Sequence, residues 1–177
     1  MNVTLYGAAS NSIDRIYMDR VEALGYALAK AGHTMVFGAG SMGLMGAAAR
    51  GMVRGNGKII GVIPHFMQEF EPVFEECTEL IRCETMADRK DEMEARADAF
   101  VIVPGGIGTF DELFQILTLK VLRRHDKPII LYNINGFWDS MIAVLGADIF
   151  KGFISKDVFD DFVLCETPES LLSVLNK

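Results

Sequence analysis

The chain is poor in the residues that would announce a disulfide framework, a metal centre or a surface for polyanions. Its three cysteines, Cys77, Cys83 and Cys165, are an odd and unpatterned set in 177 residues, which suits a reducing compartment better than an oxidising one. The three histidines, His33, His65 and His125, stand in separate segments with no Cys, Asp or Glu at ligand spacing, so no metal site is expected. Positive charge is also in deficit. A formal net charge of -7 gives nucleic acid or an anionic membrane nothing to be drawn to, and any phosphate must be held locally. No apolar run reaches membrane-spanning length, and Met1-Asn2-Val3-Thr4-Leu5-Tyr6-Gly7 has none of the parts of a signal peptide. A cytoplasmic location is the expectation.

What is abundant is apolar residue, at 50% of the sequence, enough for one well-buried core and too short a chain for two ordinary domains. Residues 1–177 are therefore read as a single domain. Short runs at Val3–Tyr6, His33–Phe37, Lys58–Ile63, Ala99–Val103 and Pro128–Tyr132 are mostly apolar throughout, as strands buried on both faces must be. Amphipathic stretches at Ile13–Ala31, Leu44–Arg54, Met86–Arg96, Thr109–Arg124 and Phe137–Leu145 lie between them. Weaker strands near Glu79–Arg82 and Phe162–Cys165 and a closing helix at Glu169–Leu175 complete the pattern. The alternation predicts an α/β fold, a Rossmann-like doubly wound and mostly parallel sheet with helices on both faces.

In such a sheet ligands bind beyond the carboxyl ends of the strands, where the following helices offer free backbone N–H groups. Three turns there are rich in small residues: Gly7 to Ser12, Gly38 to Gly43 and Pro104 to Thr109. The second has the G-x-G-x-x-G spacing of a dinucleotide site, but the next strand ends Gly61-Val62-Ile63-Pro64-His65, without the acid that would hold a ribose hydroxyl. Tight turns with close helix packing explain Gly43 and Gly46 as well. The third, Pro104-Gly105-Gly106-Ile107-Gly108-Thr109-Phe110-Asp111-Glu112, joins its glycines to a compact polar set. No Lys follows in the triphosphate-loop arrangement, so a single phosphate fits better.

Glu112 admits two readings. Thr109-Phe110-Asp111-Glu112 matches a capping box, in which the Glu folds back onto the cap residue's N–H; alternatively the carboxylate lies beside a sugar, where it activates water or stabilises positive charge. Arg89 and Lys90 also divide. They stand near the amino end of a helix, where the dipole disfavours cations and an anion nearby would compensate, yet Glu92 and Arg96 at four-residue spacing also suit a solvated charged helix. Ser10 and Ser41 lie in no nucleophile elbow, and the methionines read as core fillers.

Pro104 to Glu112 and Met86-Ala87-Asp88-Arg89-Lys90, with Gly43 to Gly46, Gly61-Val62-Ile63-Pro64, Lys127-Pro128 and Asn135-Gly136-Phe137, together resemble the "lonely guy" family of cytokinin-activating phosphoribohydrolases, once widely labelled lysine decarboxylases. The resemblance implies a dimeric Rossmann-like enzyme that cleaves an N6-substituted adenosine 5'-monophosphate into free base and ribose 5-phosphate. It implies no cofactor and no metal. Arg89 and Glu112 would be the catalytic pair, Gly105, Gly106, Gly108 and Thr109 the phosphate cradle, and Met86 and Lys90 the lining of the nucleotide site. Ala39 stands where a third glycine is common, Asp111 replaces a frequent Glu, and Leu119-Lys120 occupies a place where an aromatic residue is frequent. Decarboxylation would need a Schiff-base lysine, and nothing in the sequence marks Lys90 or Lys120 as desolvated. A non-catalytic nucleotide carrier or sensor is the alternative, because the same turn would serve binding alone.

Overall fold

A computed structural model describes residues 1–147, 152–154, 158 and 160–176. The strands are β1 (Asn2–Tyr6), β2 (Thr34–Phe37), β3 (Lys58–Pro64), β4 (Glu79–Cys83), β5 (Ala99–Ile102), β6 (Ile129–Tyr132) and β7 (Val163–Cys165). The helices are α1 (Arg15–Lys30), α2 (Gly43–Arg54), α3 (Met86–Arg96), α4 (Ile107–Val121), α5 (Asp139–Gly146) and α6 (Pro168–Leu175). All seven strands pair in parallel, in the order β4-β3-β2-β1-β5-β6-β7. The expected weak strands are thus full members of the sheet, and the expectation of a mostly parallel sheet becomes an entirely parallel one. A 3₁₀ turn at His65–Glu69, which carries no periodic signal in the sequence, follows β3.

Alternation along the central strands sorts the core into two layers. Val3, Leu5, Ala99, Val101 and Ile130 face α1, α2 and α6, packing on Leu24, Leu28, Ala48 and Leu171. Tyr6, Phe100, Ile102 and Leu131 face the other way, towards Met93 of α3, Leu113 and Ile116 of α4 and Trp138 before α5. Each of these central strands buries both faces, which is why its sequence shows no polar alternation. The threonine hydroxyl in β1 is satisfied: Thr4 Oγ1 donates to the Met93 carbonyl oxygen, 3.1 Å away.

The chain leaves β1 towards β2 on one side and returns, after β4, to β5 on the other. The order reverses between β1 and β5, and loops leaving those two strands diverge to opposite faces and open a crevice above the sheet. The turns after β1 and β5 are therefore brought together although about a hundred residues separate them. Ala8 N–H donates to the Pro104 carbonyl oxygen across that junction, at 3.1 Å.

Candidate active site

The amino termini of α2 and α4, each after a small-residue turn, differ in how their backbone donors are used. At α2, Gly43 N–H donates to Asn11 Oδ1 (2.9 Å), and Leu44 N–H donates to the Ala8 carbonyl oxygen (2.8 Å). Gly43 is in the left-handed region, with φ of 59°, and a Cβ there would run into the backbone of Ala8 and Ala9. The G-x-G-x-x-G spacing thus serves a tight turn whose donors are consumed by the protein itself. At α4 the N-cap is Gly106, with no side-chain cap. A Cβ on Gly106 or Gly108 would meet nothing within 4 Å, so these two glycines are not required by packing and leave the first turn of α4 uncovered.

The start of α4 sets aside the helix-cap reading of Glu112. The helix begins at Ile107, two residues before the position expected from the sequence, so Thr109 lies inside it and is not its cap. Glu112 instead accepts from Arg89: Nη1 to Oε1 is 2.7 Å, and each residue is 8% exposed. The solvated-helix reading of Arg89 is likewise set aside, although Glu92 and Arg96 do pair as their spacing suggests. The amino end of α3 is closed by a capping box between Thr85 and Asp88, which satisfies the helix locally and leaves Arg89 to project across to α4. Lys90, next in sequence, reaches Asp111 with Nζ 3.1 Å from Oδ2. Adjacent residues on α3 are in this way cross-linked to adjacent residues on α4.

Close approach of the turn after β2 completes the surroundings. A Cβ on Gly38 would collide with Arg89 Nη2, and one on Gly40 with Glu71 Oε1. Glu71 is the site residue that sequence reading missed. It comes from the segment after the 3₁₀ turn, which is pinned along Gly38 to Ser41 by Ser41 N–H donating to Pro72 O (2.9 Å) and Phe74 N–H donating to Ala39 O (2.8 Å). Its Oε1 is buried without a hydrogen-bond partner among the described residues. In the sequence Glu71 is one of four glutamates between Glu69 and Glu76, so nothing local singled it out.

These contacts set the electrostatics. Burial raises the Glu112 carboxyl above its usual range, and the neighbouring Arg89 opposes that rise without cancelling it. Burial raises Glu71 too, again against Arg89. The Tyr6 phenol, at the end of β1, is pushed well above its ordinary value first by burial and then by the negative charges of Glu112 and Glu94. A carboxylate whose proton affinity is raised by a dry setting is suited to taking a proton from water, provided a cation holds it in place.

The remaining expected residues are distributed around this centre. Met86 is exposed in the first turn of α3. Thr109 is buried, and its hydroxyl occupies the space a Cβ on Gly105 would need. Gly105 and Gly106 also line a mainly apolar cavity of about 310 Å³ with Ala8, Ile13, Tyr17 and Phe137. Arg89, Glu112, Met86, Lys90, Gly108 and Thr109 are not in its wall. No cluster of three or more His, Cys, Asp or Glu with metal-binding geometry occurs among the described residues, and no described helix is long and apolar enough to cross a membrane.

Residues 45–175 match the family described as possible lysine decarboxylase. A cytokinin riboside 5'-monophosphate phosphoribohydrolase of Arabidopsis thaliana is 33% identical over 99% of this chain and 82% of its own length. A rice protein named as a probable enzyme of the same kind is 36% identical over 87% of this chain, a match that spans 63% of the rice protein. Among solved structures, the molybdenum cofactor carrier protein of Chlamydomonas reinhardtii superposes with a TM-score of 0.74 at 18% identity, covering 99% of this chain and 95% of that one. That likeness is one of fold.

Proposed function

The chain belongs to the "lonely guy" family of cytokinin riboside 5'-monophosphate phosphoribohydrolases, whose family model bears the description possible lysine decarboxylase, and from that membership and the geometry at α3 and α4 we propose that it hydrolyses the N-glycosidic bond of N6-substituted adenosine 5'-monophosphate. The observation that carries the reading is the buried Arg89–Glu112 pair, 2.7 Å apart, one helical turn from the uncovered amino terminus of α4. A phosphate on the backbone N–H groups there, among Gly106, Gly108 and Thr109, would gain from the helix dipole. The sugar would then lie towards Glu112.

In the proposed step, water adds to the anomeric carbon as the bond to the base breaks, and the base departs with the electron pair and gains a proton, which balances the one that Glu112 takes from the water and later gives up. Positive charge builds on the ribose ring. The Glu112 carboxylate stabilises that charge and takes the proton of the attacking water, and Arg89 keeps the carboxylate in position. Glu71, buried and unpartnered beside Gly40, is available to accept a hydrogen bond from a hydroxyl or amine of the ligand.

The decarboxylase description fits the residues less well. Lys90 is engaged with Asp111, and Lys120, in the last turn of α4, donates to the Lys127 carbonyl oxygen at 2.9 Å. Neither is a free, desolvated amine poised for a Schiff base. A carrier would need the phosphate cradle but not a buried arginine–carboxylate pair beside it, which is costly to bury and favours the hydrolase. We further propose that the enzyme is a cytoplasmic homodimer. Release of ribose 5-phosphate from N6-isopentenyl AMP and from AMP tests the activity; binding of either nucleotide without release would establish the carrier instead.

A further inference from the structure

We infer that Asp111 is a positioning residue for nucleotide binding: it holds the Lys90 ammonium against α4, just past its first turn, so that this cation is presented to the phosphate. The inference rests on the nucleotide-site reading above. Lys90 is mostly buried along its stem, with 19% of its side chain exposed, whereas Asp111 is 59% exposed. A pair whose carboxylate is this open to water contributes little to stability.

Lys90 has several carboxylates within electrostatic reach. Glu112 on α4 feels its charge, as does Glu94 one turn further along α3. A lysine ammonium is a compact charge on a flexible four-carbon stem, and without Asp111 it would settle on one of those two. On Glu112 it would add a second cation to the proposed base; on Glu94 it would withdraw down the helix. Asp111, at 3.1 Å, blocks both outcomes. The pairing uses one of the three ammonium donors, which leaves two for an incoming anion. Near a helix amino terminus a cation is also intrinsically disfavoured, so a counter-ion is what allows Lys90 to wait there.

The opposite expectation is equally concrete. Asp111 stands beside the proposed phosphate cradle, and a carboxylate with no role but its charge would repel the ligand. The sign of the change on removing it therefore decides. Calorimetric titration of the full chain with AMP and with adenosine, for the parent, Asp111→Asn, Asp111→Glu, Lys90→Met and the double variant, forms the test. Asp111→Asn should weaken AMP binding by about tenfold, the size expected when a charge pair supporting a charged ligand is broken, and leave adenosine unchanged. In turnover it should raise KM while kcat at saturation holds. Asp111→Glu should restore AMP affinity, and in the Lys90→Met background Asp111→Asn should have no further effect.

AMP bound as tightly or more tightly by Asp111→Asn, or an equal loss with and without Lys90, overturns the inference. The two readings fail separately. A parent that binds AMP but releases no ribose 5-phosphate removes the hydrolase and leaves the Asp111–Lys90 coupling standing if the cycle shows it; turnover without coupling removes only the coupling. A parent that binds no AMP overturns both.

Discussion

Arg89 of α3 donates to Glu112 of α4 across 2.7 Å, and both side chains are nearly sealed from water. That contact unites two segments whose local sequence patterns each have an ordinary explanation, a helix cap and a charged surface. Its consequences are open to direct measurement.

Glu112→Gln should keep the fold, since the amide oxygen can still accept from Arg89, and should lose about 10²- to 10⁴-fold in ribose 5-phosphate release if the carboxylate acts as a base. Because Glu112 is not a helix cap, retained activity in this variant would leave it a structural partner of Arg89 alone. Rate at saturating N6-substituted AMP, recorded beside thermal unfolding, is the measurement.

Arg89→Met should lower stability by about 3–5 kcal/mol, the usual result of leaving one member of a buried pair without its partner. Urea unfolding reads this. Arg89→Lys should be milder in unfolding yet still impaired in turnover, because an ammonium cannot reproduce the planar fork of donors.

The acid limb of kcat should lie above the ordinary carboxylate value of about 4.3, since burial raises the Glu112 carboxyl. As pH falls, Glu112 is protonated early and the base is lost. The sign for stability is opposite. A carboxyl whose folded-state value is raised binds its proton more readily in the folded chain, so this group favours folding as pH falls through that range. Rate should decline while unfolding by urea shows no matching loss from this group, and Glu112→Gln should abolish the limb.

Gly105 and Gly106 should separate packing from ligand contact. A Cβ on Gly105 meets the Thr109 hydroxyl, whereas one on Gly106 meets open space. Gly105→Ala should therefore lower the melting temperature, and Gly106→Val should leave it near that of the parent but weaken AMP far more than adenosine. Equal losses for nucleotide and nucleoside with Gly106→Val would show that no phosphate sits on that turn.

A two-fold dimer is expected to bury the apolar residues that α4 and the turn after it leave in water, among them Phe114, Val121 and Leu122. Light scattering across a dilution series checks it. Phe114→Glu should shift the population towards monomer, and a parent that is monomeric throughout would remove the dimer.

Much of the architecture was legible because strands buried on both faces and helices with one apolar face leave a local mark in the chain. The weak strands β4 and β7 showed faintly since one is only partly buried and the other mostly exposed. The 3₁₀ turn after β3 left no mark, having no period of its own.

By itself the sequence determined the parallel α/β layering and the positions of the three small-residue turns, since each depends on side-chain pattern over a few neighbours. Only tertiary structure decided that the α2 donors are spent, on Asn11 and Ala8, and that Glu112 pairs with Arg89 instead of capping a helix, by starting α4 at Ile107 and carrying Arg89 across to it. Glu71 likewise entered the site only through the segment that lies against Gly38 to Ser41. A pairing across 23 residues between two helices, or across 31 between a loop and a turn, is fixed by how the helices pack on the sheet, and no local periodicity records it.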